Sequence, residues 1–279
     1  MIGPSSGRAH DGRLAARGLG VRAPGGALLQ DVALEIAAGE CVAVLGANGA
    51  GKSTLLRALA GDRFEGTLRA AGEVSLGGRA IHAWRPGELA RRRAVLPQSP
   101  AQAFGYTALE LAALGRHAHP DARATSLAIA RAALAATDAA HLAERAVPTL
   151  SGGERARAHL ACALAQLWEA ECEHPRYLLL DEPTAALDIA HQLDVLALVR
   201  ARGLGVLAIL HDLNLAGEFA DRVVVLSRGR ILAAGTPADV LEPDCIRTAF
   251  GVRAAAVPHP LRAGRCIAVA RLRERDGAG

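Results

Sequence analysis

The chain has 279 residues, with 32 Lys+Arg against 28 Asp+Glu, a formal net charge of +4 and 51% hydrophobic residues. That apolar fraction can fill one large globular domain, or a core domain with an insert, and excludes a chain disordered throughout. A charge of +4 over this length does not imply nucleic acid as a partner. No apolar run approaches the ~20 residues of a spanning helix. Residues 1–12 are Gly/Ser-rich and polar, without the apolar core of a signal peptide. The cysteines Cys41, Cys162, Cys172, Cys245 and Cys266 are scattered without a CxxC pair, which fits reduced thiols in the cytosol. The basic residues are nearly all arginine, and Lys52 is the only lysine. Arginine can replace lysine on a solvated face but not where a pocket requires a compact ammonium, so Lys52 marks a site.

After a flexible stretch over 1–12, residues 14–21 and 32–36 read as short strands of an antiparallel layer, with the turn Pro24-Gly25-Gly26 between them. Residues 41–45 are an unbroken apolar run ending at glycines, the pattern of a strand buried on both faces. A helix follows from Gly51 or Lys52 to about Ala60, then strands at 67–76 and 94–96. Residues 99–149 turn Ala/Leu-rich at helical spacing, in segments at 107–114, 121–136 and 139–145, and read as an inserted helical subdomain. A long helix is predicted over 152–169, buried strands at 177–180, 206–210 and 223–226, and a helix at 189–202. This alternation predicts an α/β core over 13–98 and 150–240 with a mostly parallel sheet. Residues 241–279 form a C-terminal extension; from 238 onward short helices, a strand at 266–269 and a frayed Arg-rich tail are expected.

Gly46-Ala47-Asn48-Gly49-Ala50-Gly51-Lys52-Ser53 fits G-x-x-x-x-G-K-[ST] between a buried strand and a helix. The glycines let backbone N–H groups close on a phosphate chain, and the helix N-terminus favours the anion. Lys52 is placed to reach the β- and γ-phosphates of ATP, Ser53 to offer its hydroxyl to Mg²⁺, and Thr54 to bond the α-phosphate. Such a loop predicts a P-loop NTPase core. Leu178-Leu179-Leu180-Asp181-Glu182 is a buried strand ending in two carboxylates, Asp181 for a Mg²⁺ water and Glu182 as general base or water orienter. Leu150-Ser151-Gly152-Gly153-Glu154 opens the long helix. Its N–H groups, hydroxyl and positive dipole end suit an anion, while the Ser151–Glu154 spacing equally suits a capping box. The residues alone leave both readings open.

The order of these segments with Gln98, Ala186-Leu187-Asp188 and His211 resembles the ATPase subunits of ABC transporters, over about 14–240. The resemblance implies a homodimer paired head to tail, in which Ser151, Gly152, Gly153 and Glu154 of one subunit cap the γ-phosphate held by the other. It makes Gln98 the residue that touches metal or attacking water, Asp188 the cross-interface contact and His211 the γ-phosphate sensor, with Lys52 and Glu182 catalytic. Two departures stand out. The position for an aromatic that stacks on adenine is Arg22-Ala23-Pro24, and Glu154 stands where glutamine is commoner.

No fused membrane domain, tandem copy or regulatory domain is read in the chain, which leaves a stand-alone bacterial subunit for a separate permease. Residues 104–117 and 210–216 resemble the iron-chelate, cobalamin and hemin uptake group, and the long link over 163–181 resembles hemin importers; a neutral loop insertion gives the same length. The implied function is ATP hydrolysis that energises hemin uptake at the cytoplasmic face of the inner membrane. The implied partners are two permease subunits and, indirectly, a periplasmic substrate-binding protein. Ferric siderophore or cobalamin is the alternative cargo, and a soluble ATPase acting on ribosome or DNA the alternative class. His117, His119, His141 and His174 read as solvated side chains rather than heme ligands. The Arg91-Arg92-Arg93 run and the 262–275 tail read as solvated faces, open to weak attraction to anionic lipid or permease.

Overall fold

A computed structural model describes residues 12–64, 66–100, 105–168, 174–261 and 264–271. Residues 1–11 of the expected flexible stretch, Phe104, residues 169–173 with Cys172, and residues 262–263 and 272–275 of the basic tail lie outside the described residues. In chain order, β1 (Leu14–Ala23) and β2 (Gly26–Ile36) form a hairpin, and β3 (Cys41–Leu45) leads into α1 (Lys52–Ala60). Strands β4 (Arg69–Leu76) and β5 (Arg79–Ala80), helix α2 (Pro86–Ala90) and strand β6 (Arg93–Leu96) follow. The insert contributes α3 (Ala108–Leu114) and α4 (Arg123–Ala136), and α5 (Gly152–Gln166) returns the chain to β7 (Tyr177–Asp181). Then come α6 (Ile189–Ala201), β8 (Gly205–Ile209), α7 (Leu213–Phe219), β9 (Arg222–Ser227) and β10 (Arg230–Gly235). Helices α8 (Pro237–Val240) and α9 (Pro243–Phe250) precede a hairpin of β11 (Val252–Pro258) and β12 (Arg265–Arg271).

The central sheet has the order β10-β9-β3-β8-β7-β6, parallel throughout except for the β10 edge, and β2-β1-β4-β5 form the antiparallel layer. Strands β3, β7 and β8 are buried at every residue. Their alternate side chains therefore feed two cores. Cys41, Ala43, Leu45, Leu178, Leu180, Val206 and Ala208 pack with α5, α6 and α7 on one face. Val42, Val44, Leu179, Leu207 and Ile209 pack with α1 and the antiparallel layer on the other. Period-two alternation inside an all-apolar run thus builds three layers.

A third core joins α3 and α4 to one side of α5, through Ala108, Leu111, Ala133, Leu134, Ala158, Ala161 and Ala165. Helix α5 is shared, because Leu160, Ala163 and Leu164 face the central sheet.

Several expectations are corrected. The long helix ends at Gln166 rather than about 169, where the Leu167 backbone leaves the helical conformation and its N–H turns back to the Leu164 carbonyl. Residues 139–145 are not a helix continuing the insert. Asp138 takes a left-handed φ of 50°, stops α4, and leaves only a tight turn at Ala140–Leu142. The Ala-rich stretch at 252–258 is a strand paired in full register with 265–271. Helix α7, which Asp212 caps by accepting from the Asn214 and Leu215 N–H groups, had no counterpart among the expected elements.

Gly115, just after α3, approaches α5 so closely that a Cβ would overlap the Cys162 carbonyl oxygen and stand 3.0 Å from the Gln166 nitrogen. Gly115→Ala should therefore force the insert off α5 and lower stability by about 1–3 kcal/mol, the usual cost of overpacking. A drop in the denaturant midpoint at unchanged m-value is the expected result; an unchanged midpoint would contradict this packing.

Candidate functional site

The carboxyl ends of neighbouring parallel strands open on one edge of the sheet, where ligands of α/β folds bind. In the order β3, β8, β7, β6 those ends carry the glycine loop, His211, Asp181-Glu182 and Gln98. Strand order alone therefore puts Glu182 between His211 and Gln98. Both neighbours reach it: His211 Nε2 lies 2.6 Å from Glu182 Oε1, and Gln98 Nε2 donates to Oε2 at 2.8 Å. Glu182 sits at φ 54°, a left-handed conformation costing about 1–3 kcal/mol for a non-glycine residue and found most often at functional sites. Its backbone N–H donates to the Ile209 carbonyl at 3.2 Å, which fixes the turn.

The glycine loop is shaped by close approach. Gly46 (φ 154°) lies against the Leu226 carbonyl, and Gly51 (φ 104°) would bring a Cβ to 2.6 Å from the Leu28 carbonyl oxygen. Side chains are barred at both positions. Ala47, Asn48 and Gly49 form the exposed crest, and Ala50 is buried beneath it. Lys52 is only 7% exposed, and its ammonium donates to the Gly46 and Ala47 carbonyls at 2.8 and 3.2 Å. Burial lowers the lysine pKa, and the negative charges of Glu182 and Asp181 oppose that shift.

Ser53 Oγ donates to Asp181 Oδ1 at 3.4 Å, while the half-exposed Thr54 follows it on α1. Burial raises the Asp181 pKa against the Ser53 bond, with Glu182 pushing the same way as burial. A hydroxyl and a carboxylate facing one another are hard oxygen donors, the set Mg²⁺ uses when water and phosphates complete its shell. The Gln98 amide oxygen accepts no hydrogen bond among the described residues, which leaves it open to an ion.

Two other predicted groups make no hydrogen bond with this network among the described residues. Ser151 caps α5: its Oγ accepts from the Glu154 N–H at 3.2 Å, and Glu154 Oε2 accepts from the Ser151 N–H at 2.8 Å. The capping reading is thus fulfilled, and the serine proton stays available to an acceptor. Gly152 lines a cleft together with Gln98, Asp181 and Glu182. Arg145 pairs with Glu154 at 3.2 Å, and the Ser151 N–H bond leads the causes that lower the Glu154 pKa. Asp188 caps α6 by accepting from the His191 N–H at 2.9 Å.

Sequence reasoning missed Arg155 and His159. They line a cleft of about 390 Å³ with Gln98, Ser99, Asp181 and Glu182. Burial, then Arg155, lowers the His159 pKa. Their four-residue spacing on α5 was the available signal. His119, expected to be solvated, bonds the Gln166 carbonyl at 2.9 Å. Arg22 lies exposed on β1.

The ABC transporter family pattern matches residues 29–185. The chain is 48% identical over 252 residues to a hemin import ATP-binding protein of Gloeobacter violaceus, covering 88% of this chain and 90% of that one. A protein of the same name from Burkholderia thailandensis is 49% identical over 257 residues, with 86% and 93% coverage. Among solved structures, an inward-facing metal-chelate type ABC transporter matches with TM-score 0.75 at 25% identity, over 92% of this chain and 97% of that one. A dimeric bacterial ABC transporter cassette shares the fold, with TM-score 0.69 at 24% identity over 80% and 98%.

Lys52 joins none of the apolar cores. Lys52→Arg should therefore keep a cooperative nucleotide-free melt while weakening MgATP binding by about 1.5–3 kcal/mol, the scale of a hydrogen bond to a charged group. The planar guanidinium does not fit beneath a loop closed by Gly46 and Gly51. Titration calorimetry checks this, and near-wild-type affinity would contradict it.

Proposed function

The chain belongs to the ABC transporter family, and from that premise we propose that it hydrolyses ATP to energise hemin import through a separate membrane permease. Its relatives named as hemin import ATP-binding proteins match along nearly their whole length, which supports this cargo. No helix among the described residues is long and apolar enough to cross a membrane, and in this proposal the permease supplies the translocation path. The proposed setting is the cytoplasmic face of a bacterial inner membrane, with two ATPase copies, two permease subunits and a periplasmic substrate-binding protein upstream.

The observation that carries the catalytic reading is the Glu182 carboxylate, gripped by His211 at 2.6 Å and Gln98 at 2.8 Å. An acceptor held so is suited to orient water and take its proton as it attacks the γ-phosphate. His211 steadies the carboxylate and faces the same phosphate. Lys52 exchanges its loop carbonyls for the β- and γ-phosphate oxygens, and the crest N–H groups from Ala47 to Ser53, with the Thr54 hydroxyl, close on the rest. Ser53, Asp181 and Gln98 would hold Mg²⁺, which supplies charge neutralisation on the phosphates when bound. Ser151, Gly152, Gly153 and Glu154 present a helix N-terminus to the γ-phosphate of the second copy, and Asp188 meets that copy at the interface.

The test is co-expression with the permease. The chain should sediment with the membrane, and hemin-loaded binding protein should stimulate hydrolysis that Glu182→Gln lowers by ~10²–10⁴, the scale of general-base loss. Stable association with ribosomes or DNA, or hydrolysis indifferent to hemin, would overturn the reading.

A further inference from the structure

Asp138 is opposed twice by local physics. It occupies the left-handed position after α4 at φ 50°, where the Ala139 N–H bonds the Leu134 carbonyl at 2.8 Å and the Asp138 N–H bonds the Ala135 carbonyl at 3.2 Å. This is the Schellman closure, for which glycine is the preferred residue. A carboxylate there also faces the negative end of the α4 dipole, where a cation would be favoured. Among the described residues, the side chain recorded against it lies in the other half of the molecule. His191 Nε2, in the first turn of α6, stands 3.7 Å from Asp138 Oδ2.

His191 reaches the opposite way as well. Its Nδ1 lies 2.8 Å from Asp188 Oδ1, the same oxygen that accepts the His191 backbone N–H. The ring thus lies between two carboxylates, hydrogen-bonded to Asp188 at the head of α6 and in a longer contact with Asp138 on the helical insert. Asp188 is two-thirds exposed, and without the ring only the backbone cap would fix its carboxylate. Substituting Asp138 by glycine would relieve the strain and remove the contact with His191 together.

We propose that His191 is a positioning residue that fixes the Asp188 side chain and, through Asp138, makes its placement depend on the helical insert. This rests on the reading of Asp188 as the contact with the second copy. The orientation of the insert would then be transmitted to the subunit interface.

The full chain is assayed for MgATP hydrolysis across a range of protein concentrations, beside thermal melts, for Asp138→Gly, His191→Ala, their double variant and Asp188→Asn. Asp138→Gly should melt higher than wild type yet lose roughly two- to thirty-fold in hydrolysis at limiting protein, the range of measured coupling effects. His191→Ala should lose as much, and the double variant no more than either single one, as members of one bridge do. A purely structural role cannot raise stability and lower activity together. Full hydrolysis by Asp138→Gly or His191→Ala, additive losses, or a lower melt for Asp138→Gly would overturn the bridge. Asp188→Asn keeps a good N-cap residue. Wild-type hydrolysis by that variant would instead sink the reading of Asp188, whereas its loss beside an unaffected Asp138→Gly would leave that reading standing without the bridge.

Discussion

The order in which β3, β8, β7 and β6 lie side by side constrains everything else in this molecule, because each strand delivers one chemical group to the same edge. Glu182 stands at the end of β7, and the flanking strands bring His211 and Gln98 to opposite oxygens of its carboxylate. Moving any one strand by a place would separate the three. The sheet is therefore the positioning device, and its buried strands supply the rigidity. The strained backbone at Glu182 persists because pairing along β7 and β8, ending at Asp181 opposite Ile209, holds it there.

The glycine loop depends on the same sheet. Gly46 rests on the β9 carbonyl of Leu226, and Gly51 on the β2 carbonyl of Leu28, so a central strand and the antiparallel layer both shape it. Lys52 is folded onto its own loop carbonyls, which keeps a buried ammonium satisfied. Ser151 and Asp188, by contrast, satisfy their own helix ends and, among the described residues, make no hydrogen bond with the Glu182 network. On the proposed reading these two groups complete the site of a second copy, which is the physical reason for expecting one.

Legibility in the sequence followed locality. The phosphate loop, the acidic end of β7 and the cap at Ser151 are set by residues within one turn of each other, and spacing alone revealed them. The buried strands were equally plain, because their apolar runs are unbroken. The grip on Glu182 was not derivable from the residues, since it depends on strand order across more than a hundred residues; family resemblance supplied Gln98 and His211 instead. Residues 252–258 read as helix formers, and pairing with β12 overrode that propensity. The end of α4 at Ala136 was legible, but the segment after it was misjudged: Asp138 turns the chain where glycine would have announced a stop, and only a tight turn follows at Ala140–Leu142.

The central claim is that hydrolysis needs Glu182 from one copy and Ser151 from the other. Mixing separately inactive Ser151→Ala and Glu182→Gln chains tests it most directly. If the site is shared, half of randomly formed dimers are mixed and each regains one intact site, so activity should reappear on mixing and rise toward about a quarter of wild type, to the extent that the sites act independently. If each chain carries its whole site, mixing will restore nothing, and the account fails.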